Sequence, residues 1–299
     1  MAQAKDPVQA MAEEGPFDRP LVKRRRGRAQ KMPGDRFLYG RCADDAVSRV
    51  LDVKRKFGRT LLLGDKHLTR MVVDKLGAKI GLAICADFTT HPSGLDVVCD
   101  EEALPFKPKS FDLIINLLTL HGVNQVPAVL ARIKTLLKPD GLFIGALFGG
   151  QTLSELRRAI YSAEEQLYGR VSPRVSSMIR LDQIISLLAG SGFAMPVADR
   201  DVVRVKYASL DRLYADLRLM GDTNILLARE TSALSKRFFK LVEETYQRDH
   251  SDQVGKLNIS FEILWLTAWG PHPDQPKPLK PGSAQTKLAD ALGVQESKV

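Results

Sequence analysis

Hydrophobic and polar positions follow a regular order through residues 97–150. Apolar runs at 95–99, 111–116 and 142–147 are rich in Val, Ile and Leu, which is the pattern of short strands buried on both faces. Before the last run, apolar residues recur three and four positions apart, which predicts a helix with one face on the sheet. These positions are Val126, Val129, Leu130, Ile133, Leu136 and Leu137. The order of these elements predicts a doubly wound α/β fold, in which ligands bind beyond the carboxyl ends of the parallel strands.

Similar patterns predict elements on both sides of this segment. Upstream we expect a helix at 35–57, a strand at 60–63, a helix at 68–76 and a strand at 80–85. Downstream we expect helices at 152–168, 182–189, 210–220 and 231–248, with strands at 202–207 and 257–269. The last strand alternates so that one of its faces is apolar. Thr152 and Glu155 have the spacing of a capping box at the start of their helix.

Length and composition favour one large domain with appendages. The chain has 299 residues, 44% of them hydrophobic, which is enough to bury a sizeable core. We expect the domain at 35–270, with lid insertions at about 152–181 and 209–250, between a basic arm at 1–34 and an extended Pro- and Lys-rich tail at 271–299. No apolar run reaches the ~18 residues of a membrane span, and the first residues lack a signal or transit composition. We therefore expect a cytoplasmic protein in a bacterium, or a mitochondrial matrix protein in a eukaryote.

A visible part of the net charge of +9 lies before the domain. The basic residues of this segment are Arg19, Lys23, Arg24, Arg25, Arg26, Arg28 and Lys31. Such a cluster either stays solvated or binds an acidic protein surface, and peripheral contact with an anionic surface also stays open. No aromatic residues are interleaved with it for base stacking, so we expect no nucleic acid partner.

The cysteines do not indicate a metal site. Cys42, Cys85 and Cys99 lack the spacing of metal ligands, and the last two fall in predicted strands. We expect buried, reduced thiols and no metal.

Four consecutive motifs in the centre of the chain resemble a known family. They are DEEALPF at 100–106, SFDLIIN at 110–116, LHGVN at 120–124 and LLKPDGLFIGALFGG at 136–150, followed by TL and ELR. This order resembles the class I S-adenosylmethionine (SAM) methyltransferases of the Met-11 type, and most of all their complex I assembly factor branch, whose mitochondrial member is a protein-arginine hydroxylase. Outside the centre, the resemblance continues in FDR at 17–19, MGDTN at 220–224 and PKPLKPGSA at 276–284. It implies a Rossmann-like seven-stranded α/β fold with helical lid insertions, in which the last strand runs antiparallel between its neighbours.

The resemblance also implies a set of cofactor-binding residues at the strand ends. Asp87, about 20 residues beyond Gly64, would hold the ribose hydroxyls of SAM, unless it only caps a turn. Asp100 would accept a hydrogen bond from the adenine amine. The full set is Gly64, Asp65, Asp87, Phe88, Asp100, Glu101, Ala103, Leu104, Asn116 and Leu117. His121 is a candidate general base because imidazole exchanges protons near neutral pH, although it can also serve only as a hydrogen-bond partner.

The glycine loop after the first strand departs from the family pattern. Lys66 and Leu68 stand where the family has its second and third glycines. A lysine beside the sulfonium of SAM costs Coulomb energy, and a leucine fills space that the cofactor uses. SAM is therefore the expected cofactor, with weakened affinity. In the alternative reading, Asp65 replaces the acid that the family carries earlier and the loop backbone shifts around it.

The expected function is the modification of a protein substrate during assembly of the respiratory NADH dehydrogenase (complex I), by SAM-dependent methylation or by the hydroxylase chemistry of the branch. A subunit of that complex is the expected partner. Two alternatives stay open. One is a non-catalytic pseudo-methyltransferase that acts as an assembly chaperone, which Lys66 and Leu68 favour. The other is a carrier-protein or small-molecule O-methyltransferase.

Overall fold

Parallel strands form the centre of the molecule in a computed structural model that describes residues 15–91 and 96–276. The strands are β1 (Phe57–Leu63), β2 (Ile80–Asp87), β3 (Val97–Val98), β4 (Phe111–Leu117), β5 (Leu137–Phe148), β6 (Ala194–Tyr207) and β7 (Leu257–Trp269). These seven form one sheet in the order β3-β2-β1-β4-β5-β7-β6. β7 runs antiparallel to β5 and β6, whereas the other pairs are parallel. The predicted class I methyltransferase fold is confirmed, while the predicted tail from 277 onward lies outside the described residues.

The position of β7 follows from its alternating sequence. The strand spans Leu257–Trp269, as predicted. Its odd-numbered apolar residues pack into the core on one side of the sheet, and its even-numbered ones, such as Leu264 and Leu266, pack into the core on the other side. Both faces of this strand are therefore buried, which fixes its register between β5 and β6.

Helices cover both faces of the sheet. In the described residues they are α1 (Arg19–Ala29), α2 (Phe37–Leu51), α3 (Lys66–Leu76), α4 (Val126–Leu136), α5 (Ser154–Tyr168), α6 (Leu181–Gly190), α7 (Leu210–Met220) and α8 (Lys236–His250). α2, α3, α5, α7 and α8 share one hydrophobic core, and α4 and α6 share the core on the opposite face. α7 has the predicted bounds. None of these helices is long and apolar enough to cross a membrane.

The predicted capping box at the start of α5 is wrong. α5 begins at Ser154, and its N-cap residue makes no side-chain hydrogen bond. The Thr152 hydroxyl donates instead to Glu262 O at 3.1 Å, and the Glu155 carboxylate accepts a hydrogen bond from the Ser260 hydroxyl at 2.6 Å. Both side chains therefore bond to β7 instead of to the first turn of α5, because hydrogen-bond partners on β7 compete with the local capping interaction.

The basic segment before the domain is folded against it. Asp18 is the N-cap of α1, and its carboxylate accepts a hydrogen bond from Leu21 N–H at 2.9 Å. Phe17 forms an antiparallel bridge with Leu226, next to an Asp18 N–H···O bond to Ile225 of 2.9 Å. α1 is therefore part of the packed molecule and lies over the carboxyl ends of the strands.

Candidate functional site

The first predicted cofactor residue ends β1, where two strands come very close. Gly64 has φ of 143°, and a Cβ at this position would lie 2.6 Å from Leu117 O. Only glycine fits such an approach. Asn116 and Leu117 end β4 directly beside it, since Asn116 is the register partner of Leu63. The carboxyl ends of β1 and β4 therefore form one wall of the predicted site.

The connection from β1 to α3 consists of Gly64 and Asp65. Asp65 is the N-cap of α3, and its carboxylate accepts a hydrogen bond from His67 N–H at 2.8 Å. The helix begins at Lys66, and Leu68 is fully buried in the core. The chain thus passes from β1 through two residues into a helix, and Asp65 is the cap of that helix.

Asp87 ends β2 and is 3% exposed. Its carboxylate accepts hydrogen bonds from Phe88 N–H (2.7 Å), from the Thr89 hydroxyl (3.1 Å) and from the side-chain amide of Gln30. Burial raises the pKa of the Asp87 carboxyl to about 6, against the opposing charge of Arg26. Donors of the protein itself are therefore bonded to both oxygens of this carboxylate.

Two arginines of α1 hold the loop that was predicted to bind adenine. Arg19 Nη2 lies 2.5 Å from Asp100 Oδ1 and 2.7 Å from Glu101 Oε2, and Arg26 Nη1 lies 2.5 Å from Glu101 Oε1. Glu101 is 2% exposed. Burial acts to raise the pKa of its carboxyl, but Arg26 and Arg19 outweigh it and hold that pKa below its usual value. The Arg19 guanidinium also lies over the Phe88 ring, 4.5 Å from its centroid.

The remaining residues of the predicted set belong to the framework. Ala103 N–H donates to Asp100 O at 3.0 Å, which closes the short helical turn of this loop. Leu104 is buried in the core on the α4 side. Asn116 is fully buried, and its Oδ1 accepts a hydrogen bond from the Thr119 hydroxyl at 3.0 Å.

A cavity of ≈10 Å³, the lower limit for one water molecule, lies beside Asp65, Asp87 and Leu117. It is enclosed by Arg26, Tyr39, Asp65, Leu68, Asp87, Leu117, Leu118, Thr119 and Met220. The structure therefore brings the predicted residues together, but their carboxylates are bonded to α1 and its C-cap residue Gln30. SAM does not fit this arrangement.

A second polar cluster joins the end of β4 to the lid. His121 Nε2 lies 2.9 Å from Asp222 Oδ1, and Phe148 N–H faces His121 Nδ1 at 3.5 Å. Nδ1 is the acceptor in the latter contact, so Nε2 carries the proton that is donated to Asp222. The side chains of His121 and Asp222 are 3% and 15% exposed. Both ring nitrogens of His121 are engaged, and Asp222 is the more exposed of the two side chains.

Asp222 lines a cavity of ≈160 Å³ between α5, α7 and the segment before α6. Its apolar walls are Leu153, Leu156, Ile160, Val175, Met178, Leu217 and Ile225. Arg174 also lines it, but this guanidinium is paired with Glu164 at 2.6 Å and with Glu230 at 3.3 Å. The cavity thus combines apolar walls with one partly exposed carboxylate, an arrangement typical of a binding site.

Sequence reasoning found only part of this second cluster. It identified His121 as a candidate. Asp222 was noted only as a member of the MGDTN motif, and Arg174 was not identified. His121 and Asp222 are 101 positions apart in the chain, so no local spacing connects them. The acid within MGDTN was the one available signal.

The described residues contain no group of three or more His, Cys, Asp or Glu side chains that could hold a metal ion. Cys42 and Cys85 are buried and unpaired as thiols, and burial raises the pKa of the Cys42 thiol to about 12. These thiols therefore stay protonated and poorly nucleophilic.

Similarity to known proteins extends over nearly the whole chain. The Methyltransferase domain family matches residues 77–145. The arginine-hydroxylase NDUFAF5, mitochondrial, of Danio rerio is 33% identical over 291 residues, which cover 92% of this chain and 88% of that protein. The protein of the same name from Homo sapiens is 31% identical over 285 residues, covering 92% and 82%. A malonyl-[acyl-carrier protein] O-methyltransferase of Xylella fastidiosa (strain M23) is 30% identical over 231 residues, covering 76% of each chain.

The fold has counterparts among solved structures. The YcgJ protein from Bacillus subtilis superposes with a TM-score of 0.50 at 14% identity, covering 77% of this chain and 99% of that chain. This likeness supports the fold alone, whereas the sequence relationship indicates a site of the SAM type by descent. The chain belongs to the class I methyltransferase-fold family that includes the arginine-hydroxylase NDUFAF5.

Proposed function

We propose that this protein modifies an arginine side chain of a protein subunit during assembly of the respiratory NADH dehydrogenase. Its relatives in zebrafish and human are named arginine hydroxylases and mitochondrial. The observation that carries the proposal is the carboxylate of Asp222 at the wall of an apolar cavity. The guanidinium of Arg174 also lines this cavity, but it is already paired with Glu164 and Glu230. We propose that the modification takes place in the compartment in which that complex is assembled, which is the bacterial cytoplasm or the mitochondrial matrix.

An arginine side chain suits this cavity in both of its parts. Its aliphatic stem would lie against the apolar walls, and its planar guanidinium would donate charge-assisted hydrogen bonds to Asp222. The ≈160 Å³ of free volume is enough to hold one extended side chain. The cavity therefore selects one side chain of a polypeptide that remains outside.

His121 is assigned a positioning role. Its Nε2–H group donates to Asp222 Oδ1 at 2.9 Å, which holds this oxygen and leaves Oδ2 for the substrate. A carboxylate that is fixed in advance loses less conformational entropy when the ligand binds.

The reaction is assigned to this cavity and not to the Asp87–Glu101 region. The cavity beside Asp87 is only ≈10 Å³, and the carboxylates of that region are bonded to Arg19, Arg26 and Gln30. No step is therefore assigned to SAM.

Deleting the gene in its native host tests this proposal. Peptide mass spectrometry on the NADH dehydrogenase subunits should find an arginine that carries an added oxygen in the parent strain and none in the deletion strain. This oxygen would come from O2, with two electrons from a reductant outside the chain and the second oxygen atom released as water. Complementation with the wild type or with Asp74→Asn, an exposed control on α3, should restore the modification, and Asp222→Asn should not. Identical arginine masses in the parent and deletion strains would contradict the proposal.

A second candidate function, a non-catalytic assembly chaperone, is favoured by the filled site around Asp87. It predicts that the deletion strain loses assembled NADH dehydrogenase, and that Asp222→Asn restores assembly without any change in arginine mass. The same strains therefore separate the two functions.

A further inference from the structure

A groove of ≈640 Å³ lies directly outside the Asp222 cavity. The groove and the cavity share Ile160, Arg174, Tyr214, Thr223 and Asn224 among their lining residues. A polypeptide whose side chain enters the cavity must therefore leave its neighbouring residues in the groove.

The groove is lined by an excess of positive charge. Its arginines are Arg25, Arg28, Arg174, Arg218 and Arg229, and the acid among its lining residues is Glu230. Glu230 is shared, because it pairs with Arg174 at 3.3 Å and with Arg170 at 2.9 Å. Arg229 is paired with Asp18 at 2.9 Å.

Three of these arginines have no acidic partner within the described ranges. Arg25 donates only to the backbone carbonyl of Asn224, and neither Arg28 nor Arg218 forms an ion pair there. Burial, followed by the charges of Arg229, Arg24 and Arg28, lowers the pKa of Arg25. Like charges that are gathered in a concave surface repel one another until an anion enters.

α1 presents different arginines to its two sides. Arg19 and Arg26, seven positions apart, point to the acidic loop at Glu101, whereas Arg25 and Arg28, three positions apart, line the groove. The first pair fixes the helix, and the second pair is left for a ligand.

We propose that this arginine groove binds acidic residues that flank the arginine held in the Asp222 cavity. The inference rests on the proposed function, because continuity with the cavity is what identifies the occupant as a polypeptide. A peptide with acidic side chains on both sides of a central arginine complements these charges. Its arginine would meet Asp222 in the cavity, and its acids would meet the guanidinium groups of the groove.

Two synthetic peptides test the inference by calorimetry on the full chain. One has a central arginine between aspartates, and the other has the same arginine between asparagines. The aspartate peptide should bind at least ~tenfold more tightly at low salt, and this advantage should shrink as salt rises.

The double variant Arg28→Ser/Arg218→Ser should lose at least ~tenfold of its affinity for the aspartate peptide and should bind the asparagine peptide as the wild type does. Arg212→Ser/Arg237→Ser removes the same charge from exposed positions outside the groove and should bind both peptides as the wild type does. Equal losses in the two double variants, or no preference for aspartate, would overturn the inference.

A third peptide separates this inference from the proposed function. It keeps the aspartates and replaces the central arginine by citrulline, a neutral analogue of the same shape. If this peptide still depends on Arg28 and Arg218 but binds as tightly as the arginine peptide, the groove assignment stands and the arginine assignment fails.

Discussion

Arg26 and Glu101 form a buried ion pair across the carboxyl ends of the sheet, with Arg26 Nη1 and Glu101 Oε1 2.5 Å apart. The pair joins the basic helix α1 to the loop that a methyltransferase of this fold would use for adenine. The side-chain amide of Gln30 donates a hydrogen bond to Asp87 at the end of β2. The carboxylates of Asp87 and Glu101, which were predicted to lie beside adenosine, are thus bonded to side chains of α1 and of its C-cap residue.

The first prediction is that SAM binds weakly or not at all. Calorimetry with SAM, and with its demethylated product S-adenosylhomocysteine, should give no saturable binding below the millimolar range, because binding must first break the contacts of Arg19, Arg26 and Gln30. Dissociation constants in the low micromolar range would show that the cofactor readily displaces the contacts of α1.

The second prediction concerns Glu101→Gln. The substitution keeps the shape of the side chain but leaves Arg26 and Arg19 without this charge in a buried setting, so the free energy of unfolding should fall by ~3–5 kcal/mol. Glu102→Gln in the same loop is the matched control, since the Glu102 side chain is 25% exposed and lies 3.9 Å from Arg19 Nε. Chemical denaturation measures both, and equal losses would contradict the buried-pair account.

The third prediction is a pH dependence at Asp87. Its pKa is about 6 in the folded protein, above the ordinary value of 3.8, so the folded state binds the proton more tightly. The stability that this proton contributes is fully present below about pH 4 and is lost as the pH rises through about 6. Asp87→Asn is neutral throughout. Its stability relative to the wild type should therefore be higher at about pH 7.5 than at about pH 4.5, by ~2 kcal/mol. Denaturation at both pH values measures this difference, and no difference would contradict a raised pKa.

The sequence was informative where structure depends on local periodicity. The alternation of β7 and the apolar spacing of α7 gave their bounds correctly, and the approach of Gly64 to Leu117 explains why the first glycine of the loop is present. The capping prediction at Thr152 failed because β7, more than one hundred residues later, supplies a competing partner.

The candidate site was less predictable than the fold because its partners are distant in the chain. Arg26 and Glu101 are 75 positions apart, and Gln30 and Asp87 are 57 apart. Sequence reasoning placed Asp87 and Glu101 at the correct strand ends, but it could not foresee that the basic segment folds onto them. The roles of the predicted site residues in binding a cofactor stay predictions.

The fourth prediction tests His121 as the residue that orients Asp222. His121→Gln keeps an N–H donor near Asp222 and should retain the binding of an arginine peptide within ~threefold, whereas His121→Leu should weaken it by at least ~tenfold. Denaturation of both variants controls for a general loss of stability. Equal binding by the two variants would assign His121 to packing alone.

The central claim is that Asp222 receives the guanidinium of an arginine in a protein substrate. The most direct measurement compares the arginine peptide with the citrulline peptide, using calorimetry on the wild type and on Asp222→Asn. The account predicts that the wild type prefers arginine by at least ~tenfold and that Asp222→Asn loses this preference while binding citrulline unchanged. A preference for arginine that survives in Asp222→Asn would contradict it.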